Sequence, residues 1–132
     1  MKNKQAHILI VDDEPDILAL LQFHFEDKWQ ITISNSPVKA LELAKEKDFF
    51  LIITDLAMPI MDGYNFITAL LDAGYKNEIA VMTGFGYNPN HTLVKINKKK
   101  KYPLFFKPFD FEDGKIEATI EAAYQKTFPQ KN

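Results

Sequence analysis

With 132 residues, 46% of them hydrophobic, and a formal net charge of −2, the chain has enough apolar content for one domain with a real core, and no global drive toward nucleic acid. The absence of cysteine excludes a disulfide framework, a zinc-thiolate site and thiol catalysis, and it fits a reducing compartment, so a cytoplasmic location is expected. The apolar stretch 8–11 is too short for a signal-peptide core and 49–53 too short to span a bilayer, so no membrane association is expected; nor does a DNA-binding module fit after Lys107.

In chain order, His7–Val11 reads as the first strand, short and β-branched and closed by Asp12-Asp13. A helix follows from about residues 13–16, with Pro15 in its first turn and Ile17, Leu18, Leu21 and Phe25 at helical spacing. Gln30–Ser34 reads as the second strand, and Ser36 as the N-cap of a helix with Pro37 at its first position, running through Leu41 and Ala44. Residues 50–55 form a third strand, apolar on both faces until Asp55. Asp62 then caps a helix over 64–73, with Phe66, Ile67, Leu70 and Leu71 on one stripe and Gly74 as its stop.

Residues 79–83 read as the fourth strand, ending at Thr83. The stretch from Gly84 to Asn90 holds two glycines and a proline, and 91–96 offers only Leu93, Val94 and Ile96 to bury, so a long loop and a short or irregular fourth helix are expected there. Leu104–Phe106 is the fifth strand, ending at Lys107. Asp110 is expected to cap the last helix, with Asp113 imitating a capping box and Ile116, Ile120 and Ala123 as its buried row. Continuous apolar strands alternating with helices indicate an α/β domain: a parallel sheet covered on both faces, doubly wound, with right-handed crossovers.

In an open parallel sheet, ligands bind beyond the carboxyl ends of the strands, where strand order reverses. In a flavodoxin-like order 2-1-3-4-5, Asp12, Asp13, Asp55, Thr83 and Lys107 all lie at such ends. Neighbouring strands are about 4.8 Å apart, so the backbone at Lys107 starts roughly 10 Å from Asp55, with Thr83 on the strand between. Asp12 and Asp13 face the crevice together only if the backbone has already turned, and Glu14-Pro15 supplies the turn. Three close carboxylates demand a cation or a raised pKa. An oxygen-only set with room for water suits Mg²⁺, and a carboxylate can take a phosphoryl group as a nucleophile while the cation and Lys107 offset the charge.

Asp12-Asp13, the stretch Asp55-Leu56-Ala57-Met58-Pro59-Ile60-Met61-Asp62-Gly63, Thr83-Gly84 and Lys107-Pro108-Phe109 together resemble the receiver domain of two-component response regulators, CheY-like modules of (βα)5 architecture. The resemblance runs from about residue 6 to residue 124 and implies a single receiver domain over 1–132 with a tail at 125–132. It implies Asp55 as phosphoacceptor and Mg²⁺ ligand, Asp13 as a direct Mg²⁺ ligand, Asp12 as a ligand acting largely through water, and the backbone carbonyl of Ala57 as the third protein ligand. Thr83 would bind the phosphoryl oxygen and shift on its arrival, Lys107 would pair with it, and the Lys107-Pro108 peptide would be cis. The implied partner is a sensor histidine kinase or phosphotransfer protein, with an output partner that the residues do not name. Beyond its own phosphorylation and dephosphorylation, no enzymatic turnover is expected.

The chain departs from the family pattern at Leu104, the switch position that is usually Tyr or Phe; Tyr102 shares its strand parity. Lysines at 98–101 replace the usual Gly-Ala ahead of the fifth strand, and Ala57 and Phe85 occupy positions that tune phosphoryl lifetime in the family. Two other readings stand beside the phosphoacceptor. One is a receiver-like scaffold that binds its partner independently of phosphorylation; the other is an enzyme on the same sheet, a flavin carrier or a phosphatase. Met58 and Met61 read as loop and core filler, and His7, His24 and His91 as structural.

Overall fold

In the computed structural model, residues 6–58, 61–84 and 102–129 are described. Five strands, β1 (His7–Val11), β2 (Gln30–Ser34), β3 (Leu51–Asp55), β4 (Glu78–Thr83) and β5 (Leu104–Phe106), pair in parallel in the order β2-β1-β3-β4-β5. Among the described residues four helices accompany them: α1 (Pro15–Phe25), α2 (Pro37–Glu46), α3 (Gly63–Asp72) and α4 (Lys115–Thr127). The doubly wound, flavodoxin-like α/β class is therefore the one observed. The loop and short helix expected between Gly84 and Ile96, the 98–101 lysines, Phe85 and His91 lie outside the described residues, as do Pro59 and Ile60.

The period-two alternation of the strands sorts the core into two layers. Ile8 and Ile10 of β1, Leu51 and Ile53 of β3, Ala80 and Met82 of β4, and Phe105 of β5 pack under α1 and α4. Their neighbours Leu9, Val11, Ile52, Ile79 and Val81 pack on the opposite face under α2 and α3. All five residues of β3, the middle strand, are buried, which explains why its sequence does not alternate in polarity. Each fully buried Ile or Leu side chain contributes about 1.5–3 kcal/mol, so these layers hold the sheet firmly enough to fix the groups at its edge.

The ends of α2 and α3 follow their local chemistry. Ser36 Oγ accepts from the Lys39 amide at 3.3 Å and Asp62 Oδ1 from the Asn65 amide at 2.9 Å, each as an N-cap. Helix α3 ends in a Schellman arrangement, in which Gly74 (φ 96°) lets its own amide reach the Leu71 carbonyl and that of Tyr75 reach Leu70. The expectation that fails is the cap by Asp110. Helix α4 starts at Lys115, preceded by Gly114 in the left-handed region (φ 71°) and with no side-chain cap. Asp110 instead accepts from the Glu112 amide and Asp113 from the Lys115 amide, both at 2.9 Å. Two consecutive aspartate turns of the i to i+2 kind absorb these side chains before the helix can begin.

Candidate active site at the carboxyl edge of the sheet

Register brings the chemistry-bearing residues to one edge. Val11 is level with Thr54, Asp55 with Met82, and Thr83 with Phe106, so the residues that follow or end these strands emerge side by side. Strand β1 stops at Val11, and the Asp12 amide still donates to the Ser34 carbonyl at 3.1 Å. Asp12 Oδ1 then accepts from the Glu14 amide at 2.9 Å, forming the turn that leads into Pro15 and α1. This turn separates the paired aspartates: Asp12 is fully buried and Asp13 exposed.

Oxygens of Asp12, Asp13 and Asp55 lie within 4.8 Å of one another. Lys107 Nζ reaches across from the end of β5 to 2.6 Å from Asp12 Oδ2, 3.3 Å from Glu14 Oε1 and 3.6 Å from Asp55 Oδ2. Thr83 is buried, and its Oγ1 has no hydrogen-bond partner among the described residues. The Lys107-Pro108 peptide is cis.

The loop after β3 is set by close backbone packing. The Leu56 amide donates to Met82 O at 3.0 Å and the Gly63 amide to Leu56 O at 2.9 Å, which brings Gly63 back over the strand end. A Cβ at Gly63 would sit 2.6 Å from Leu56 Cδ2, 2.7 Å from Leu56 Cα and 3.1 Å from the Asp55 carbonyl oxygen, so only glycine allows this approach. Ala57 is exposed beside Asp55.

The electrostatics follow from burial against charge. Burial, reinforced by the nearby Asp12 carboxylate, pushes the Asp55 carboxyl up to about 6, against the opposing pull of Lys107 and the Ala57 amide. Asp12 is also raised, because burial outweighs its bonds to Lys107 and Glu14. Burial alone would lower the Lys107 ammonium, but its bond to Asp12 and the charges of Asp55 and Glu14 outweigh that and raise it. Among the described residues, the edge is thus an oxygen-only acidic cluster paired with one lysine.

Of the residues singled out from sequence, Asp12, Asp13, Asp55 and Lys107 meet in one cluster, with Thr83 and Ala57 at the same edge. Leu104 is partly buried and packs with Tyr102 against the layer under α2 and α3, below that edge. Met58 is buried and Met61 packs against the same layer, as core filler. His7 bonds the Thr32 hydroxyl and His24 stacks on Phe111 at 3.7 Å, both away from the acidic cluster. Glu14 was missed as a side chain. The available signal was a Glu immediately before the helix-opening Pro15, at an N-cap position where a shorter capping side chain is usual.

A family model described as the response regulator receiver domain matches residues 8–119. The transcriptional regulatory protein ZraR of Klebsiella oxytoca is 28% identical over 128 residues, which cover 96% of this chain but only 28% of ZraR, so the chain spans less than a third of that relative's length. Among solved structures, the beryllofluoride-activated NtrC4 receiver domain dimer is similar at TM-score 0.77 and 31% identity, over 91% of this chain and 97% of that one. FixJ-N is similar at TM-score 0.78 and 28% identity, over 95% and 96% of the two chains. With the fold, the acidic edge and a family match over most of its length in agreement, this chain belongs to the response regulator receiver domain family.

Proposed function

We propose that this domain accepts a phosphoryl group on Asp55 from a phosphohistidine of a sensor histidine kinase or phosphotransfer protein, with Mg²⁺ bound, and signals through its surface. The observation that carries the reading is the juxtaposition of Asp55, two further carboxylates, the Lys107 ammonium and a Thr83 hydroxyl without a partner among the described residues, all at one sheet edge.

An Asp55 carboxyl with a pKa of about 6 is mostly ionised at neutral pH, as a nucleophile must be. One of its oxygens attacks phosphorus in line; the P–N bond breaks, its electron pair stays on the imidazole of the donor, and an acyl phosphate forms on Asp55. Lys107 and Thr83 supply a charged and a neutral donor to the oxygens of the transferred group, which suits the needs of a loose transition state. The donor set fits a hard divalent cation: Asp13 is exposed and near Asp55, Asp12 is already engaged by Lys107, and the Ala57 carbonyl would complete the protein ligands. When bound, Mg²⁺ would offset negative charge on the phosphoryl oxygens. We take residues 6–124 as the receiver unit and the cytoplasm as its compartment.

Incubation with acetyl phosphate and Mg²⁺ should add one phosphate by mass, and Asp55→Asn should abolish the adduct. No labelling under conditions that phosphorylate a known receiver would sink the proposal. The scaffold reading draws support from Leu104, where the family usually has an aromatic switch; it requires a partner affinity that beryllofluoride leaves unchanged.

A further inference from the structure

Helix α1 begins without a side-chain cap, although Glu14 occupies its N-cap position. Its amide serves Asp12, and its carboxylate is turned away from the helix toward Lys107, 93 residues on, at 3.3 Å. The Lys107 side chain is only 10% exposed, whereas that of Glu14 is 59% exposed, so Glu14 is the solvent-side partner of an otherwise enclosed ammonium. Asp55 Oδ2, at 3.6 Å from Nζ, is its most distant anionic neighbour of the three, and Asp12 Oδ2, at 2.6 Å, its nearest. The ammonium therefore sits closest to Asp12 and is shared, at longer ion-pair distances, between Glu14 and the residue it would serve.

We propose that Glu14 is a positioning residue that, together with Asp12, competes for the Lys107 ammonium in the unphosphorylated domain and so restrains phosphoryl acceptance. The inference rests on the phosphoacceptor reading above. Its physical basis is competition. A phosphoryl group on Asp55 must recruit the same ammonium, and every negative charge bonded to Nζ must be outbid or displaced. Asp12 is buried and has no other cation among the described residues, so its pairing with Lys107 is retained. Glu14 can turn to water, so it is the partner that yields. An exposed ion pair is weak, which sets the size of the effect at about two- to fivefold in an equilibrium or a rate.

The test compares the whole domain with its Glu14→Gln and Glu14→Asp variants, measuring beryllofluoride affinity in Mg²⁺ and phosphorylation rate against acetyl phosphate concentration. Glu14→Gln should bind beryllofluoride about two- to fivefold more tightly and phosphorylate faster at low donor concentration by a similar factor. Glu14→Asp keeps the charge but is shorter by one methylene and loses the contact, so it should behave like Gln. If Asp matches the wild type while Gln is faster, the effect is charge at the pocket mouth and the positioning role is wrong. Wild-type behaviour in both variants, or weaker binding in Gln, also overturns it. A wild-type domain that takes neither acetyl phosphate nor beryllofluoride removes the phosphoacceptor reading itself, a different failure visible before any variant is compared.

Discussion

At the scale of single residues, the acidic edge stores an electrostatic conflict. Asp55 is 3% exposed and titrates at about 6 rather than 3.8, so in the absence of a cation the folded state binds its proton more tightly than the unfolded chain does. The sign follows directly. Stability from this group is fully present below pH 3.8, falls as pH rises toward 6, and stays low above that. The difference corresponds to an upper value of about 3 kcal/mol, reduced in practice by water and local relaxation. Asp55→Asn, which is neutral at every pH, should therefore stabilise the metal-free domain at pH 7.5 by about 1–3 kcal/mol, with the gain shrinking toward zero near pH 4. Urea midpoints of both proteins in EDTA across this range measure it; an Asn variant no more stable than wild type at pH 7.5 would contradict the burial argument. The same residues show what sequence could and could not reveal. Strand spacing placed Lys107 within reach of Asp55, but which aspartate would hold it depended on the turn at Glu14, and the Glu14 contact spans 93 residues and leaves no local pattern.

At the scale of elements, the strands were legible because their apolar runs stop at turn-formers, and their ends differ by only a residue from those observed. Helices α2 and α3 were legible through Ser36 and Asp62, whose caps lie within a turn of chain. The start of α4 was not, because aspartate serves a helix cap and an i to i+2 turn equally well, and only the backbone at Gly114 decides between them. Where backbone approaches backbone, the sequence signal is a glycine and its consequence is steric. Gly63 opens α3 directly over Leu56, so Gly63→Ala forces a methyl group against a Cα atom that has no freedom to move alone. The loop must shift, and Asp55 with it. We expect a loss of about 1–3 kcal/mol in urea denaturation and slower labelling by acetyl phosphate, in contrast to the gain from Asp55→Asn. Unchanged stability in Gly63→Ala would show that Gly63 is less constrained than its packing against Leu56 implies.

At the scale of the whole molecule, the two core layers and the acidic edge pull in opposite directions, and the site is affordable only because the sheet beneath it is over-determined. Strand β3 is buried on both faces and its last residue is Asp55, so the strain of crowding carboxylates is borne by the best-packed strand in the fold. A divalent cation at this edge would relieve that crowding in the folded state alone, since the unfolded chain does not gather Asp12, Asp13 and Asp55. Linkage then requires Mg²⁺ to raise global stability, by about 2.7 kcal/mol when its concentration reaches 100 times the dissociation constant. The increase should appear as a cooperative shift of the whole unfolding transition rather than of one segment, because Asp12, Asp13 and Asp55 lie at the ends of two strands that share both layers. Monovalent salt at equal ionic strength should reproduce little of it, and Asp13→Ala, which leaves the buried pair Asp12 and Lys107 intact, should reduce the Mg²⁺ increment while changing the metal-free stability by less than about 0.5 kcal/mol. Thermal or urea unfolding with and without Mg²⁺ in the two proteins decides the matter; an increment that survives in Asp13→Ala would place the cation elsewhere on the molecule.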